Sequence, residues 1–380
     1  MKLLSPAALL VALLATACIQ MPAEKQDVVG ERSKDFVEEH SFFRVTIGGR
    51  TVRLEGMTVK RADATGRLPI ALITHGKAPN LQSMLDQHAT AFIGQAKDLA
   101  NRGWLAVVVI RRGFGQSDGP MPAPMSCQST SFVERFAADA DDLQATLDFI
   151  AKRPDADPTR MIAIGGSTGG AAVVALSARN PQSLRGVISI SGGMRMESCP
   201  KEDLLAQAYQ ELGTKSRVPG LWMYAKNDSL FGPDVVGRMR DGFLDAGGDV
   251  KLVMFDPIGQ DGHTLFSLAA GRNRWLPQMD AFLRFHQLPT WRRDDVNLLI
   301  KRLNAAERDR GFVEGFVAAP LDKALARVSG SAHLYGAWGA KTIGDARNST
   351  LTACQKQRPK DKKDNCVIVM ENDHWVGGTP

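Results

Sequence analysis

The sequence predicts an α/β fold, a mostly parallel sheet wound on both faces, followed by a small C-terminal α+β module. Three observations carry this. Six short runs, Ile70 to Thr74, Leu105 to Ile110, Met161 to Ile164, Val187 to Ile190, Leu221 to Tyr224 and Val250 to Phe255, are apolar without alternation, as strands buried on both faces are. Between them lie stretches of helical period. The clearest run from Phe136 to Ala151, with Leu143, Leu147 and Ile150 on one side, and from Leu276 to His286. Strands alternating with helices imply parallel pairing through crossovers. After Pro289-Thr290 the character shifts: 15 Lys plus Arg stand against 11 Asp plus Glu, a balance of +4 out of the chain's +6.

Taken in order, the chain opens on Lys2 and an apolar stretch from Leu3 to Ala17, short and terminal enough for a secretory leader over residues 1–18. Ala15-Thr16-Ala17-Cys18 satisfies a small-x-small cleavage rule and places Cys18 where bacterial lipoproteins are acylated, although Ala15 departs from the Leu usual in a lipobox. The expected destination is the periplasm, or attachment to the bacterial envelope through a lipid anchor. Of five cysteines, Cys18 is the odd one. Cys354 and Cys366 flank a Lys-rich loop and are paired by proximity, and Cys127 pairs with Cys199 by elimination, in keeping with an oxidising compartment.

Residues 19–40 are polar and aperiodic and read as a tether, so the first domain is expected over 41–289. Its first feature is an antiparallel hairpin, Phe42 to Ile47 and Thr51 to Leu54 around Gly48-Gly49. The tail, 290–380, has strand-like runs at Ala332 to Trp338 and Cys366 to Met370 about a helical segment from Thr342 to Gln357. Its Lys356 to Lys363 cluster is interleaved with Asp361 and Asp364 and lacks stacking aromatics. It reads as a solvated loop, and nucleic acid is not an expected partner. A hydrophobic share of 44% and a charged share of 23% exclude a disordered chain or coiled coil, and no apolar run past the leader suits a polytopic membrane protein.

The string G-x-S-x-G occurs twice, at Gly115 to Gly119 and Gly165 to Gly169. A nucleophile elbow needs a strand that stops and a helix that starts at once. Ser167 has both, between Met161 to Ile164 and Gly170 to Leu176. Ser117 runs into Gly119-Pro120, where no helix starts, and reads as a loop serine. A serine hydroxyl needs a base, and the base needs a carboxylate. His263 follows the last predicted parallel strand, whereas His286 lies on the final helix and His333 and His374 lie in the tail. Asp228 follows the strand ending at Tyr224 and is the preferred acid. Asp256 and Asp261 compete from the loop that His263 occupies. The oxyanion donors are expected at the N–H of Thr168 and of Lys77, in the loop His75-Gly76-Lys77. No H-E-x-x-H or paired Cys/His spacing is present, so neither metal nor cofactor is expected.

The ordered set His75-Gly76, Arg112 to Gly119, Gly165 to Gly170, Asn227-Asp228 and Asp261-Gly262-His263 resembles an exported α/β-hydrolase. It is similar to dienelactone hydrolases and to the catalytic domain of prolyl oligopeptidases over about Leu68 to His286. The resemblance implies a Ser-His-Asp hydrolase acting through an acyl-enzyme and supports Asp228 as the acid. Dienelactone hydrolases carry a cysteine where this chain has Ser167. The segment ahead of the hydrolase is too short for the oligopeptidase propeller, and the loop after His75 lacks a tyrosine, so neither specificity carries over. The stretch Gly192 to Arg217, with Met194, Met196 and Cys199, could roof the site together with Met121, Met125 and Cys127. Three function classes follow: a carboxylic-ester hydrolase on a small-molecule substrate, a serine peptidase or amidase on the same triad, and a non-catalytic envelope-binding lipoprotein.

Overall fold

The computed structural model describes residues 29–32, 35–120, 125–196, 199, 201–291, 293–329, 333–358 and 365–377. The leader, Cys18, the first part of the tether, Met121, Ala332 and residues 359–364 of the lysine cluster lie outside the described residues.

The chain enters the sheet earlier than expected. β1 (Val29–Arg32), β2 (Phe36–Ile47) and β3 (Arg50–Arg61) pair antiparallel, so part of the segment expected as a tether is sheet and the sheet starts before residue 41. The tether reading fails because Val37-Glu38-Glu39-His40 shows no buried alternation. Backbone pairing with β1 on one side and β3 on the other makes it a strand, and its side chains are half-buried. The β2–β3 turn places Gly48 at φ 56° and Gly49 at φ 77°, the two left-handed positions of a tight hairpin.

All six apolar runs are strands: β4 (Leu68–Thr74), β5 (Leu105–Val109), β6 (Ala156–Gly166), β7 (Leu184–Ile190), β8 (Gly220–Ala225) and β9 (Val250–Phe255). They pair in parallel in the order β5-β4-β6-β7-β8-β9, with β3 antiparallel to β5. Successive helices are α1 (Leu81–Leu85), α2 (Ile93–Ala100), α3 (Ser129–Ile150), α4 (Thr168–Ser177), α5 (Glu202–Lys215), α6 (Pro233–Asp245) and α7 (Ala269–Phe285). Because β4 to β8 are apolar on both sides, two cores form. Leu72, Val107 and Trp222 pack with Leu143 of α3 on one face, while Ile73, Val108 and Ile164 pack with Trp275 and Leu283 of α7 on the other. Burying one such aliphatic side chain contributes about 1.5–3 kcal/mol.

The tail continues with α8 (Arg293–Leu303), α9 (Arg310–Ala318), β10 (Ala324–Val328), β11 (Leu334–Ala337), α10 (Ile343–Gln357), β12 (Cys366–Glu371) and β13 (His374–Trp375). The four strands form an antiparallel sheet in the order β11-β10-β12-β13. Thr342 caps α10 by accepting the Asp345 N–H at 3.1 Å. The disulfide Cys354–Cys366 ties α10 to β12, and Cys127–Cys199 ties the approach to α3 to the approach to α5. Arg102, paired with Asp280 of α7 at 2.6 and 2.8 Å, reaches the tail by donating to the Ala318 carbonyl of α9 at 2.8 Å. His374 of β13 bonds Asp35 beside β2.

Candidate active site

β6 ends at Gly166 and α4 begins at Thr168, leaving Ser167 alone in the bend at φ 53° and ψ −124°. A side chain at positive φ is strained, and the surrounding structure holds it there. Ser167 N–H donates to the Ile190 carbonyl at 3.0 Å, and its own carbonyl accepts the Gly193 N–H at 3.1 Å and the Ala171 N–H at 3.2 Å. The flanking glycines are required sterically. A Cβ on Gly165 would lie 2.3 Å from the Gly169 oxygen, and one on Gly169 would lie 2.4 Å from the His75 oxygen.

His263 sits in a short 3-10 turn after β9, and its Nε2 lies 3.1 Å from Ser167 Oγ. Its Nδ1 lies 3.0 and 3.2 Å from the two oxygens of Asp228, whose side chain is fully buried. Asp228 Oδ1 also accepts the N–H groups of Leu230 at 2.9 Å and Phe231 at 3.0 Å. Such bonds satisfy the hydrogen-bonding capacity of a buried carboxylate. The result is one continuous chain of contacts from Asp228 through the imidazole to the serine oxygen.

The two rival acids are placed elsewhere. Asp261 Oδ1 accepts the N–H groups of His263 at 2.9 Å and Ser229 at 3.0 Å, and Oδ2 accepts the Ser229 hydroxyl at 2.8 Å. Burial raises its pKa, but these hydrogen bonds outweigh it and hold the carboxyl below its usual range. Asp261 therefore clasps the His263 loop to the Asp228 loop. Asn227 does the same from the other side, its Oδ1 accepting the Ile258 N–H at 2.9 Å. Asp256 is exposed and paired with Lys226 at 2.8 Å.

Thr168 opens α4, so its N–H has no acceptor within the helix. The loop carrying Lys77 lies against the elbow: a Cβ on Gly76 would stand 2.8 Å from the Ser167 Cβ. His75 is fully buried, with Nδ1 donating to the Gly76 carbonyl at 2.7 Å and Nε2 accepting the Arg111 N–H at 2.9 Å. Burial, then the nearby Arg111 guanidinium, hold its pKa well below the usual imidazole range, so it is a neutral brace. Among the described residues no group of three or more His, Cys, Asp or Glu side chains is arranged to hold a metal ion.

Sequence reasoning missed Arg111. Its fully buried guanidinium bonds the Thr74 hydroxyl at 2.8 Å, the His75 carbonyl and the Thr168 hydroxyl at 3.0 Å, with Asp139 at 3.4 Å balancing its charge. It joins the loop before Lys77 to the first residue of α4. The local signal was only a cation at the end of an apolar strand, where a surface position was the natural reading. Met194 and Met196 line a small pocket together with Phe231, whose ring lies against that of His263, while Met125 packs against the same core.

Residues 83–231 match the family Hydrolase_4, serine aminopeptidase S33, a stretch that includes Ser167 and Asp228 and ends before His263. The chain is 29% identical over 215 residues to "Putative esterase NocK" of Nocardia uniformis subsp. tsuyamanensis, covering 56% of this chain and 54% of that protein. It thus spans about half the length of that relative. The Pyrococcus furiosus esterase Pf2001 is similar at 14% identity and a TM-score of 0.46, over 65% of this chain and 90% of that one. A dienelactone hydrolase-like promiscuous phosphotriesterase from metagenomic libraries is similar at 18% identity and a TM-score of 0.42, over 58% and 82%. With its mostly parallel sheet and its strand-turn-helix serine bend, the chain has the α/β-hydrolase fold, and residues 83–231 are similar to the Hydrolase_4 family.

Proposed function

We propose that this α/β-hydrolase cleaves carboxylic esters of small molecules through an acyl-enzyme. The observation that carries the reading is the unbroken contact chain Asp228, His263, Ser167, at 3.0 and 3.1 Å, ending on a serine held in a strained bend. Ser167 Oγ forms a bond to the ester carbonyl carbon as His263 Nε2 takes its proton. Asp228 accepts the Nδ1–H and fixes the tautomer. The N–H groups of Thr168 and Lys77 hold the oxyanion, and Arg111 keeps the two segments that bear them in register. The leaving alcohol departs with the proton from His263. Water then attacks the acyl-enzyme, with His263 as base again, and releases the carboxylic acid.

Export through the leader and an anchor at Cys18 belong to the same proposal. The disulfides Cys127–Cys199 and Cys354–Cys366 support it, because such bonds persist in oxidising compartments. Fractionation of cells expressing the chain and its Cys18→Ala variant tests it: the wild type should follow membranes and the variant the soluble periplasm.

A second reading, a serine peptidase or amidase on the same triad, is favoured by the aminopeptidase character of the matched family. A fluorophosphonate should label the wild type and not Ser167→Ala. Absence of labelling would leave the non-catalytic envelope lipoprotein. Paired p-nitrophenyl ester and p-nitroanilide substrates then separate the first two readings: the ester should turn over at least about 100-fold faster, and the reverse would transfer the assignment to the peptidase.

A further inference from the structure

Where the two sheets meet, on the side away from Ser167, lies a half-open cavity of about 1030 Å³, the size of a small-molecule site. Arg160 on its rim lies in the first half of β6, seven residues before the Ser167 bend that follows it, or about 20 Å along a strand. It is therefore a separate place from the triad, and nothing in the reaction proposed above uses it.

Five arginines and one aspartate line it. Most of this charge is already balanced. Arg102 is held by Asp280, Arg61 by Asp63 and Arg160 by Asp157, and Asp373 faces the Lys323 ammonium at 3.0 Å. Arg284 and Arg302 differ: among the described residues neither has a carboxylate at ion-pair distance. Each instead lies over an indole, Arg284 at 4.5 Å from the Trp291 ring centre and Arg302 at 4.2 Å from that of Trp375. Stacking of this kind orients a guanidinium while leaving its N–H edge to accept an anion.

The Trp291 platform is fixed by a side-chain bond, and the backbone of Trp375 by strand pairing. Trp291 Nε1 donates to Asp280 at 2.9 Å, and Asp280 is itself clamped by Arg102. Trp375 is held in register opposite Met370. The remaining wall is apolar, with Leu288, Leu299, Phe316, Val317 and Met370. Two stacked guanidinium groups that no carboxylate among the described residues pairs, beside an apolar wall, match one chemistry, a negative head carried on a hydrocarbon body.

We infer that this cavity binds a single anionic amphiphile, a free carboxylate or phosphate with an alkyl chain, through Arg284 and Arg302, with Trp291, Trp375 and the apolar wall taking the chain. The inference does not rest on the esterase reading. Its test is calorimetric titration of the full chain with dodecyl phosphate below its micelle concentration. Dodecyl maltoside, inorganic phosphate and phosphatidylglycerol vesicles serve as separate arms.

Dodecyl phosphate should bind one to one, equally to the wild type and to Ser167→Ala, and to fluorophosphonate-labelled protein. The neutral detergent and inorganic phosphate should bind at least tenfold more weakly. The double variant Arg284→Gln with Arg302→Gln should lose at least tenfold in affinity, and Arg284→Lys with Arg302→Lys, which keeps the charge, should bind more tightly than the Gln pair. Equal binding of the neutral detergent, undiminished binding by the Gln pair, binding to vesicles alone, or loss of binding on labelling Ser167 would each overturn the assignment.

Discussion

The two serine loops share a five-residue string and diverge in what surrounds it. At Ser117 the hydroxyl donates to the Ile110 carbonyl at 2.6 Å and accepts the Glu55 N–H at 2.9 Å, so the backbone occupies it in both directions. At Ser167 the hydroxyl meets the His263 imidazole. Pro120 follows the first loop, and among the described residues the next helix, α3, begins only at Ser129, too far on to turn the serine outward. Thr168 opens a helix after the second, and the sharp turn leaves the oxygen proud of the backbone. The same G-x-S-x-G pattern thus makes a loop fastener in one place and a candidate nucleophile in the other, because strand and helix geometry decides which partners a hydroxyl can reach.

The strongest way to break this contrast is to truncate each serine. Ser167→Ala should remove ester turnover by on the order of 10⁶-fold and abolish fluorophosphonate labelling. Ser117→Ala should keep turnover within about threefold while costing about 1–3 kcal/mol of stability, from a backbone donor left without its acceptor. Steady-state rates and urea midpoints on both variants measure this. A large loss of rate at Ser117 with stability intact would undo the distinction.

Next in size is the acid. Asp228→Asn should lower kcat by about 10⁴-fold, as expected when the imidazole loses its tautomer-fixing partner. Asp261→Asn should cost less than about tenfold, since Asp261 bonds backbone and Ser229 rather than the ring. If the two losses exchange rank, the contact chain from Asp228 is not the working one.

Arg111 sharpens the contrast from behind the site. Arg111→Lys keeps the charge but loses the fork that spans Thr74, His75 and Thr168. A roughly 10–100-fold fall in kcat with KM within about threefold is expected, because oxyanion donors act mainly in the transition state. Equal changes in both parameters would instead indicate a structural role alone.

Much of this site was legible because its signals are local. Gly165 to Gly169 follows an apolar run and precedes small helical residues, and Asp228 and His263 each follow a strand end. The core strands were legible for a related reason: β4 to β8 are buried on both sides, so their sequence cannot alternate. What stayed hidden is set by tertiary contact. β1 and the start of β2 are an edge whose pairing uses backbone, and β10 is central in the tail sheet yet spans only Ala324–Val328 and contains Arg327. α3 begins at Ser129 without a side-chain cap at Gln128, so its first two turns carry no start signal, and Phe132 becomes core only by packing against Phe136 and its neighbours. Arg111 belongs to the same class, because its partners are 28 to 57 positions away.

The smallest expected effect is one of pH and concerns the brace on the Ser167 side. His75 is neutral in the folded chain, its pKa depressed by burial and by Arg111. The unfolded chain takes up a proton at this histidine below about pH 6.5, whereas the folded chain does not. The unfolded state therefore binds more protons there, and stability falls as pH drops, by up to about 1.4 kcal/mol per pH unit for this one group. Above about pH 7 neither state is protonated and the contribution vanishes. Urea midpoints between pH 7 and pH 5 should fall for the wild type and fall less steeply for His75→Asn. The Ser117 loop needs no such brace, because Ser117 Oγ is held directly by the backbone of Glu55 and Ile110. A wild-type slope unchanged by His75→Asn would mean that acid weakens the fold somewhere other than beside Ser167.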